Sequence, residues 1–335
     1  MGTHRMEEMM QSINHRFVET NNIKMHIAEQ GQGNLVILCH GFPECWYAWR
    51  HQISAIADAG FHVVAPDLRG YGQTDQPTSV EAYNILQLTS DIVRLVYALD
   101  HEQAMVIGHD QGAPLAWHCA LLRPDLFRAI GLLSVPYRAR AGDSKPPTEI
   151  LKQMAGEQQL YVSYFQEQGV AEAELEADVR KSLRMMLYSA SGEAPPEKRW
   201  RLSFDKSESF LDSLSEPEQL PNWFSDRDLD FLTCEFERTG FRGGLARYRN
   251  LDRDWELTAF LSAAKLQQPA LFIGGEFDIA AAMNQDLINQ LETTMPNLRK
   301  AVMLPKTGHW IQQERPTEVN RLLAEFLSQA VSERA

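Results

Sequence analysis

Gly108-His109-Asp110-Gln111-Gly112-Ala113 follows the apolar run Ala104-Met105-Val106-Ile107 and leads into Pro114-Leu115-Ala116-Trp117-His118-Cys119-Ala120-Leu121-Leu122. The first run predicts a strand and the last a helix, so the glycine pair brackets a sharp strand-to-helix turn. Such a turn forces a strained backbone on its central residue, and only small neighbours let the chain pass that closely. The residue placed there is Asp110, so the turn presents a carboxylate where nucleophile elbows carry their reactive group. A Gly-x-Asp-x-Gly is also a common turn, and the surrounding chain has to decide between the two readings.

Outward from this turn the pattern is regular. Phe17 to Thr20 and Ile23 to Ala28 read as a hairpin across Asn21-Asn22. Leu35 to Cys39 is a continuous apolar run, as expected of a strand buried on both faces, and His40-Gly41-Phe42-Pro43-Glu44 is a loop. A helix is predicted from Trp46 to Ala59, a strand from His62 to Pro66, a helix from Leu88 to Leu99 and a strand from Ile130 to Ser134. This alternation predicts an α/β fold, a mostly parallel eight-stranded sheet whose ligands bind at the carboxyl ends of the strands.

From about Arg138 to Glu256 no buried-type strand is visible. Leu175, Val179, Leu183 and Met186 form a helical stripe, and Ser225 with Asp228 opens a helix that stops before Gly240. We read 138–256 as an inserted helical cap, with 1–137 and 257–335 as the core. The sheet resumes at Pro269 to Gly275, a helix is predicted near Asn284 to Leu291, and Arg299 to Leu304 is the last strand. Pro316 opens a terminal helix. Asp110 then follows the fifth strand, Asp278 the seventh and His309 the eighth. Nucleophile, acid and histidine in this order, all at one edge of the sheet, favour a reactive site over an ordinary turn.

Composition narrows the partners. The formal net charge is -13, and no concentrated basic face is present, so nucleic acid and anionic membranes are not expected partners. No apolar run is long enough to span a bilayer. Met1 to Glu8 has no apolar stretch, and position six is Met6 rather than Ser or Thr, so neither a signal peptide nor myristoylation is expected. Cys39, Cys45, Cys119 and Cys234 lack metal-ligand spacing, and a cytoplasmic location is the expectation.

His40-Gly41-Phe42-Pro43-Glu44, Gly108-His109-Asp110, Glu276-Phe277-Asp278 and Gly308-His309-Trp310 together resemble the soluble epoxide hydrolases of the α/β-hydrolase superfamily, in particular the hydrolase domain of the vertebrate-type enzyme. Tyr164-Phe165-Gln166-Glu167, Gly169 to Leu175, Gly240-Phe241-Arg242-Gly243 and Tyr248-Arg249-Asn250 extend the resemblance into the cap. It covers nearly everything from His15 to Leu327. The resemblance implies a cofactor-independent, metal-free conversion of a small apolar epoxide and water to a vicinal diol, by a monomer or homodimer. It implies that Tyr164 and Tyr248 hold the epoxide oxygen. It also favours Asp278 over the nearby Glu276 as the acid. One departure stands out: many relatives carry Trp after the nucleophile, where this chain has Gln111.

The chemistry fits those residues. An aspartate can displace a leaving group at saturated carbon, forming an ester that water must then open at the carbonyl. His309, oriented by Asp278, is the expected base for that water. The backbone N–H groups of Phe42 and Gln111 are the expected oxyanion donors, Pro43 having none. His40, Pro43, Trp46, Phe277 and Trp310 are expected around the substrate pocket. Tyr161 and Tyr188 are read as core, Glu44 and Asp67 to Arg69 as loop pins, and His40 and His109 as residues that hold loops through hydrogen bonds. Two other functions stay open at this point: a dehalogenase using the same machinery without the phenols, and a binding protein that kept the fold but not the turnover.

Overall fold

A computed structural model describes residues 13–140 and 145–332; the reading of Met1 to Glu8 lies outside them. The eight strands of the main sheet are β1 (Asn14–Glu19), β2 (Lys24–Gln30), β3 (Asn34–Cys39), β4 (Phe61–Pro66), β5 (Ala104–His109), β6 (Phe127–Leu133), β7 (Ala270–Gly275) and β8 (Leu298–Leu304). Across the sheet they run β1-β2-β4-β3-β5-β6-β7-β8. The hairpin β1–β2 is antiparallel, with Phe17 opposite His26, and β2 is antiparallel to β4. From β4 onward the neighbours pair in parallel. Every residue of β5 and β7 is buried, which is why these segments read as unbroken apolar runs rather than alternating ones.

The core helices are α1 (Arg50–Asp58), α2 (Ile85–Ala98) and α3 (Gly112–Leu122). Trp46–Trp49, predicted as the first turn of a longer helix, is a 3-10 turn leading into α1. Helix α2 begins earlier than its apolar stripe, because the Asn84 side chain accepts from the N–H groups of Leu86 and Gln87 and caps the helix there.

Between β6 and β7 the chain makes an insertion built around helices α4 (Pro147–Ala155), α5 (Val170–Ala177), α6 (Val179–Ser189), α7 (Asp226–Thr239), α8 (Arg242–Arg249) and α9 (Leu251–Leu257). The stripe from Leu175 to Met186 is split between two helices. Asp178 leaves the helical conformation and its side chain accepts from the Lys181 N–H, ending α5 and capping α6. Ser225 and Asp228 form the expected capping box of α7. Two short strands missed by the sequence reading, Gln159–Leu160 and Ser203–Phe204, pair antiparallel inside the insertion. After β7, the single helix predicted near 284–291 is three short ones, Ile279–Met283, Gln285–Asn289 and Leu291–Thr294. The chain closes with α10 (Pro316–Ser332), which packs on α1.

Candidate active site

Asp110 sits between the end of β5 and the start of α3 with φ at 48°, the strained conformation expected at the turn. The flanking glycines are there for space. A Cβ on Gly108 would lie 2.1 Å from the carbonyl oxygen of Gly112, and one on Gly112 equally close to that of Cys39. The Asp110 Oδ1 accepts a hydrogen bond from the Phe42 N–H at 2.9 Å. Burial works against its charge, but His309 and this N–H outweigh it and hold the carboxyl at about 2. At neutral pH the group is an anion.

His309, after β8, places its Nε2 3.6 Å from Asp110 Oδ2 and its Nδ1 3.0 Å from Asp278 Oδ1. Asp278, after β7, is fully buried, and the same oxygen accepts from the Ala280 N–H at 2.9 Å. Burial disfavours the imidazolium, yet Asp278 and Asp110 together raise His309 well above the usual histidine range. The structure thus brings together the three groups that the sequence placed after strands five, seven and eight. Glu276 is elsewhere: its carboxylate accepts from the Lys306 N–H at 2.8 Å, on the surface.

The tyrosines require a correction. Tyr164 does not reach this site; its hydroxyl donates to Glu174 Oε2 at 2.8 Å, and its ring packs on Phe204. Tyr161, three residues earlier and read from sequence as core, is the one that meets Tyr248, with ring centroids 6.0 Å apart and near-perpendicular planes. Both phenols feel the Asp110 charge, after burial, which is the larger influence raising each of them. Tyr248 also stands edge-on to Phe42, the residue whose N–H holds Asp110. The two tyrosines share one turn of helix, Tyr161–Tyr164, so spacing alone could not say which faced inward. Glu174 decides it by capturing the second hydroxyl.

The expected walls divide. Phe42 and Pro43 are buried beside the carboxylate loop, joined by a cis peptide. Trp310 packs edge-on against His309 and donates from Nε1 to the Leu187 carbonyl at 2.9 Å. Phe277 lies under the Arg199 guanidinium. Trp46 packs against His15, Tyr47 and Phe231, joining the hairpin to α7, so the structure gives it a strut's role rather than a wall's. His40 spends both ring nitrogens on the backbone: Nε2 accepts from the Leu68 N–H, and Nδ1 donates to the Gly41 carbonyl. Gln111 is the cap residue of α3, where N–H groups lack partners within the helix, and its side chain reaches Tyr71 at 3.4 Å.

Sequence reasoning missed three further neighbours. Ser134, at the end of β6 with φ at 70°, places Oγ 3.0 Å from His309 Nδ1. Tyr71 lies against His40 and reaches Gln111. Glu314 receives N–H groups from both sides of His309. Of these only Ser134 carried a signal, since it too stands at the carboxyl end of a strand. Glu44 holds the loop as expected, accepting from Gly41 N–H, His109 Nδ1 and the side-chain amides of Gln312 and Gln313. Among the described residues no group of three or more His, Cys, Asp or Glu is placed to hold a metal ion, and no helix is long and apolar enough to cross a membrane.

A family model of the alpha/beta hydrolase fold matches residues 34–316. Epoxide hydrolase A of Mycobacterium tuberculosis (strain ATCC 25618 / H37Rv) is 42% identical over 315 residues, covering 93% of this chain and 97% of that protein. The bifunctional epoxide hydrolase 2 of Sus scrofa is 36% identical over 305 residues, 91% of this chain but 53% of that longer protein. Among solved structures, an epoxide hydrolase from an endophytic Streptomyces superimposes with a TM-score of 0.92 at 45% identity, covering 95% of this chain and 96% of that one. Likeness of this degree, running through core and insertion alike, makes the chain a hydrolase that belongs to the epoxide hydrolases of the α/β-hydrolase fold.

Proposed function

We propose that this protein adds water to an epoxide to give a vicinal diol in two steps, the first of which leaves an ester on Asp110. The observation that carries the reading is the arrangement around that carboxylate: an anion on a strained turn, 3.6 Å from His309, beside the paired phenols of Tyr161 and Tyr248.

In the first step an Asp110 oxygen attacks a ring carbon and the C–O bond breaks. The ring oxygen becomes an alkoxide, a poor leaving group unless a proton is donated to it. Tyr161 and Tyr248 supply the O–H donors; burial raises both, so they stay protonated at neutral pH until charge develops beside them. No base is needed here because Asp110 is already ionised.

In the second step water attacks the ester carbonyl. The Phe42 N–H, which already donates to Asp110 Oδ1, and the Gln111 N–H at the head of α3 receive the oxyanion. His309 takes the proton from water. The adduct then collapses by breaking its bond to the alkyl oxygen, which leaves with a proton as the second hydroxyl of the diol and restores the Asp110 carboxylate. The ring is free to act as base because esterification removes one of the two negative charges that hold it as imidazolium, and its proton passes through solvent to the phenolate left by the first step. Asp278 retains the other negative charge and keeps Nδ1 oriented. No metal or organic cofactor enters this sequence.

The functional division follows the same lines. The core, 1–137 and 257–335, carries the attacking carboxylate, the base and the oxyanion donors. The cap, 138–256, carries the phenols. Buried free thiols at Cys39, Cys45 and Cys119 are in keeping with a cytoplasmic enzyme.

A panel of aryl, terminal and fatty-acid epoxides, assayed for diol with the wild-type protein and with Tyr161→Phe/Tyr248→Phe, tests the reading. Turnover by the wild type that falls at least about 100-fold in the double variant is expected. No diol from any of the epoxides, or an unaffected double variant, contradicts it.

A further inference from the structure

The loop that carries His309 is bonded to the cap as tightly as to the core. The His309 N–H donates to the Ala190 carbonyl at 2.8 Å, and Trp310 Nε1 donates to the Leu187 carbonyl at 2.9 Å, both on the C-terminal end of α6. Glu314 ties the two sides together. Its Oε2 accepts from Gly308 N–H of the loop at 3.0 Å and from Gly192 N–H of the cap at 2.9 Å, while Oε1 accepts from Trp310 N–H at 3.2 Å. The residues immediately before and after His309 therefore hang on one carboxyl group. The two backbones meet closely at this seam. A Cβ on Gly308 would stand 2.2 Å from the Gly192 nitrogen, and one on Gly192 2.6 Å from both the Gly308 nitrogen and the Lys306 oxygen.

We propose that Glu314 is a positioning residue for His309, clamping the histidine loop against the 190–192 turn of the cap so that the base is in register only while the cap is seated. The hydrogen bonds of Glu314 go to Gly192, Gly308 and Trp310, and none goes to Asp110 or the phenols among the described residues. Glu314 acts on the step that uses His309, opening of the ester, and leaves formation of the ester to Asp110, Tyr161 and Tyr248. The inference rests on the reading of Asp110 as the ester-forming group, and the experiment separates the two.

Single-turnover mixing with the fastest epoxide of the panel above, quenched in acid and followed by mass spectrometry of the peptide containing Asp110, gives both rates. In Glu314→Ala the ester should form within about 2-fold of the wild-type rate but open about 30-fold more slowly, the scale of a catalytic group displaced by a fraction of an ångström. The alkylated peptide should then accumulate. In Glu314→Gln the amide oxygen can still accept from Gly308 and Gly192, while its NH₂ faces the Trp310 N–H. That variant should recover part of the loss, opening the ester about 5- to 10-fold below wild type.

His309→Gln is the reference arm. If it accumulates no ester, the Asp110 reading itself fails. If it does accumulate ester while both Glu314 variants open it within 3-fold of wild type, the positioning role is wrong and the reading stands. Equal losses in both steps in the Glu314 variants would also overturn the proposal, since that is what a merely structural carboxyl would produce. The rate of ester formation measures folding within the same experiment.

Discussion

Among the described residues, two aspartates each sit against the Nδ1 of a histidine, in buried pairs that look alike. His26 Nδ1 lies 2.7 Å from Asp67 Oδ2, and His309 Nδ1 lies 3.0 Å from Asp278 Oδ1. All four side chains are nearly or fully withdrawn from solvent. The difference lies in what surrounds each pair. Asp67 is fully used: Oδ1 accepts from Trp46 N–H at 3.0 Å and Oδ2 from Gln73 N–H at 2.9 Å. The far nitrogen of His26 meets the His15 ring, 3.1 Å away and stacked nearly parallel to it. That pair is a brace tying β2, the 67–74 loop and the entry to α1.

The second pair is left less satisfied. Asp278 Oδ2 is buried without a hydrogen-bond partner among the described residues, and the far nitrogen of His309 faces Asp110 rather than a structural group. A buried acceptor left unmade costs about 1–3 kcal/mol. A His–Asp pair alone says little about chemistry. On the mechanism proposed above, the group at the far nitrogen, and whether it sits on a strained turn beside donors, separates a reacting base from a brace.

The most severe way to break this contrast is to remove the carboxylate that only the second pair faces. Asp110→Ala should lower diol formation by about 10,000-fold or more in steady-state assays, with no covalent species in the mass spectrum. Next in size, His309→Gln should leave ester formation within about 10-fold of wild type and slow its opening by about 1,000-fold, so that alkylated protein is the main species after one turnover.

Exchanging the two aspartates sharpens the contrast. Asp278→Asn should slow ester opening by about 100-fold and cost about 1–2 kcal/mol in unfolding free energy through the weakened pairing with the His309 ring, the loss being limited because one of its oxygens makes no bond to lose. Asp67→Asn should do the reverse, costing about 2–4 kcal/mol in urea unfolding with turnover of the remaining folded protein within 3-fold of wild type. If Asp67→Asn proves catalytically crippled and stable, the division between brace and base is wrong.

The phenols give a smaller test of the same kind. Tyr161→Phe should slow ester formation by about 10- to 100-fold, whereas Tyr164→Phe, which removes a hydroxyl bonded to Glu174, should leave it within about 3-fold. The mildest probe is pH. Asp110 is held at about 2, so its ionisation gives ester formation no acid limb anywhere near neutrality. Ester opening needs neutral His309, and should fall by about tenfold per pH unit once the pH drops below the value of that ring in the esterified enzyme. The two phases of a single turnover, followed between about pH 5.5 and 8.5, should therefore separate as the medium is acidified.

The parts of this site that were legible in the sequence are those whose chemistry constrains local spacing. Asp110 was recognisable because its turn admits only small residues on either side, and Asp278 and His309 because each follows a segment that reads as a strand. Ser225 and Asp228 were legible for the same reason, a cap being a local bond pattern. What escaped depends on contacts between distant segments. Nothing in the Tyr161–Tyr164 turn says that Glu174 will take one hydroxyl and leave the other to face Tyr248. Trp46 stands next to a loop of the site in sequence, yet its ring is claimed by His15 and Phe231, residues far along the chain in either direction. The stripe from Leu175 to Met186 keeps helical spacing across Asp178, and only the side-chain cap on Lys181 breaks it. Glu314 was invisible for the strongest form of the reason: its role comes from a backbone turn of the cap more than a hundred residues away.

The origin of the diol's new oxygen can be read from one turnover in heavy-oxygen water. With enzyme in excess over an epoxide substrate, the first diol should carry no solvent oxygen, because its new oxygen is donated by Asp110, and the label should appear in the carboxylate instead. Solvent label in that first diol, with none in Asp110, would mean that water attacks the ring directly and that Asp110 is not the nucleophile.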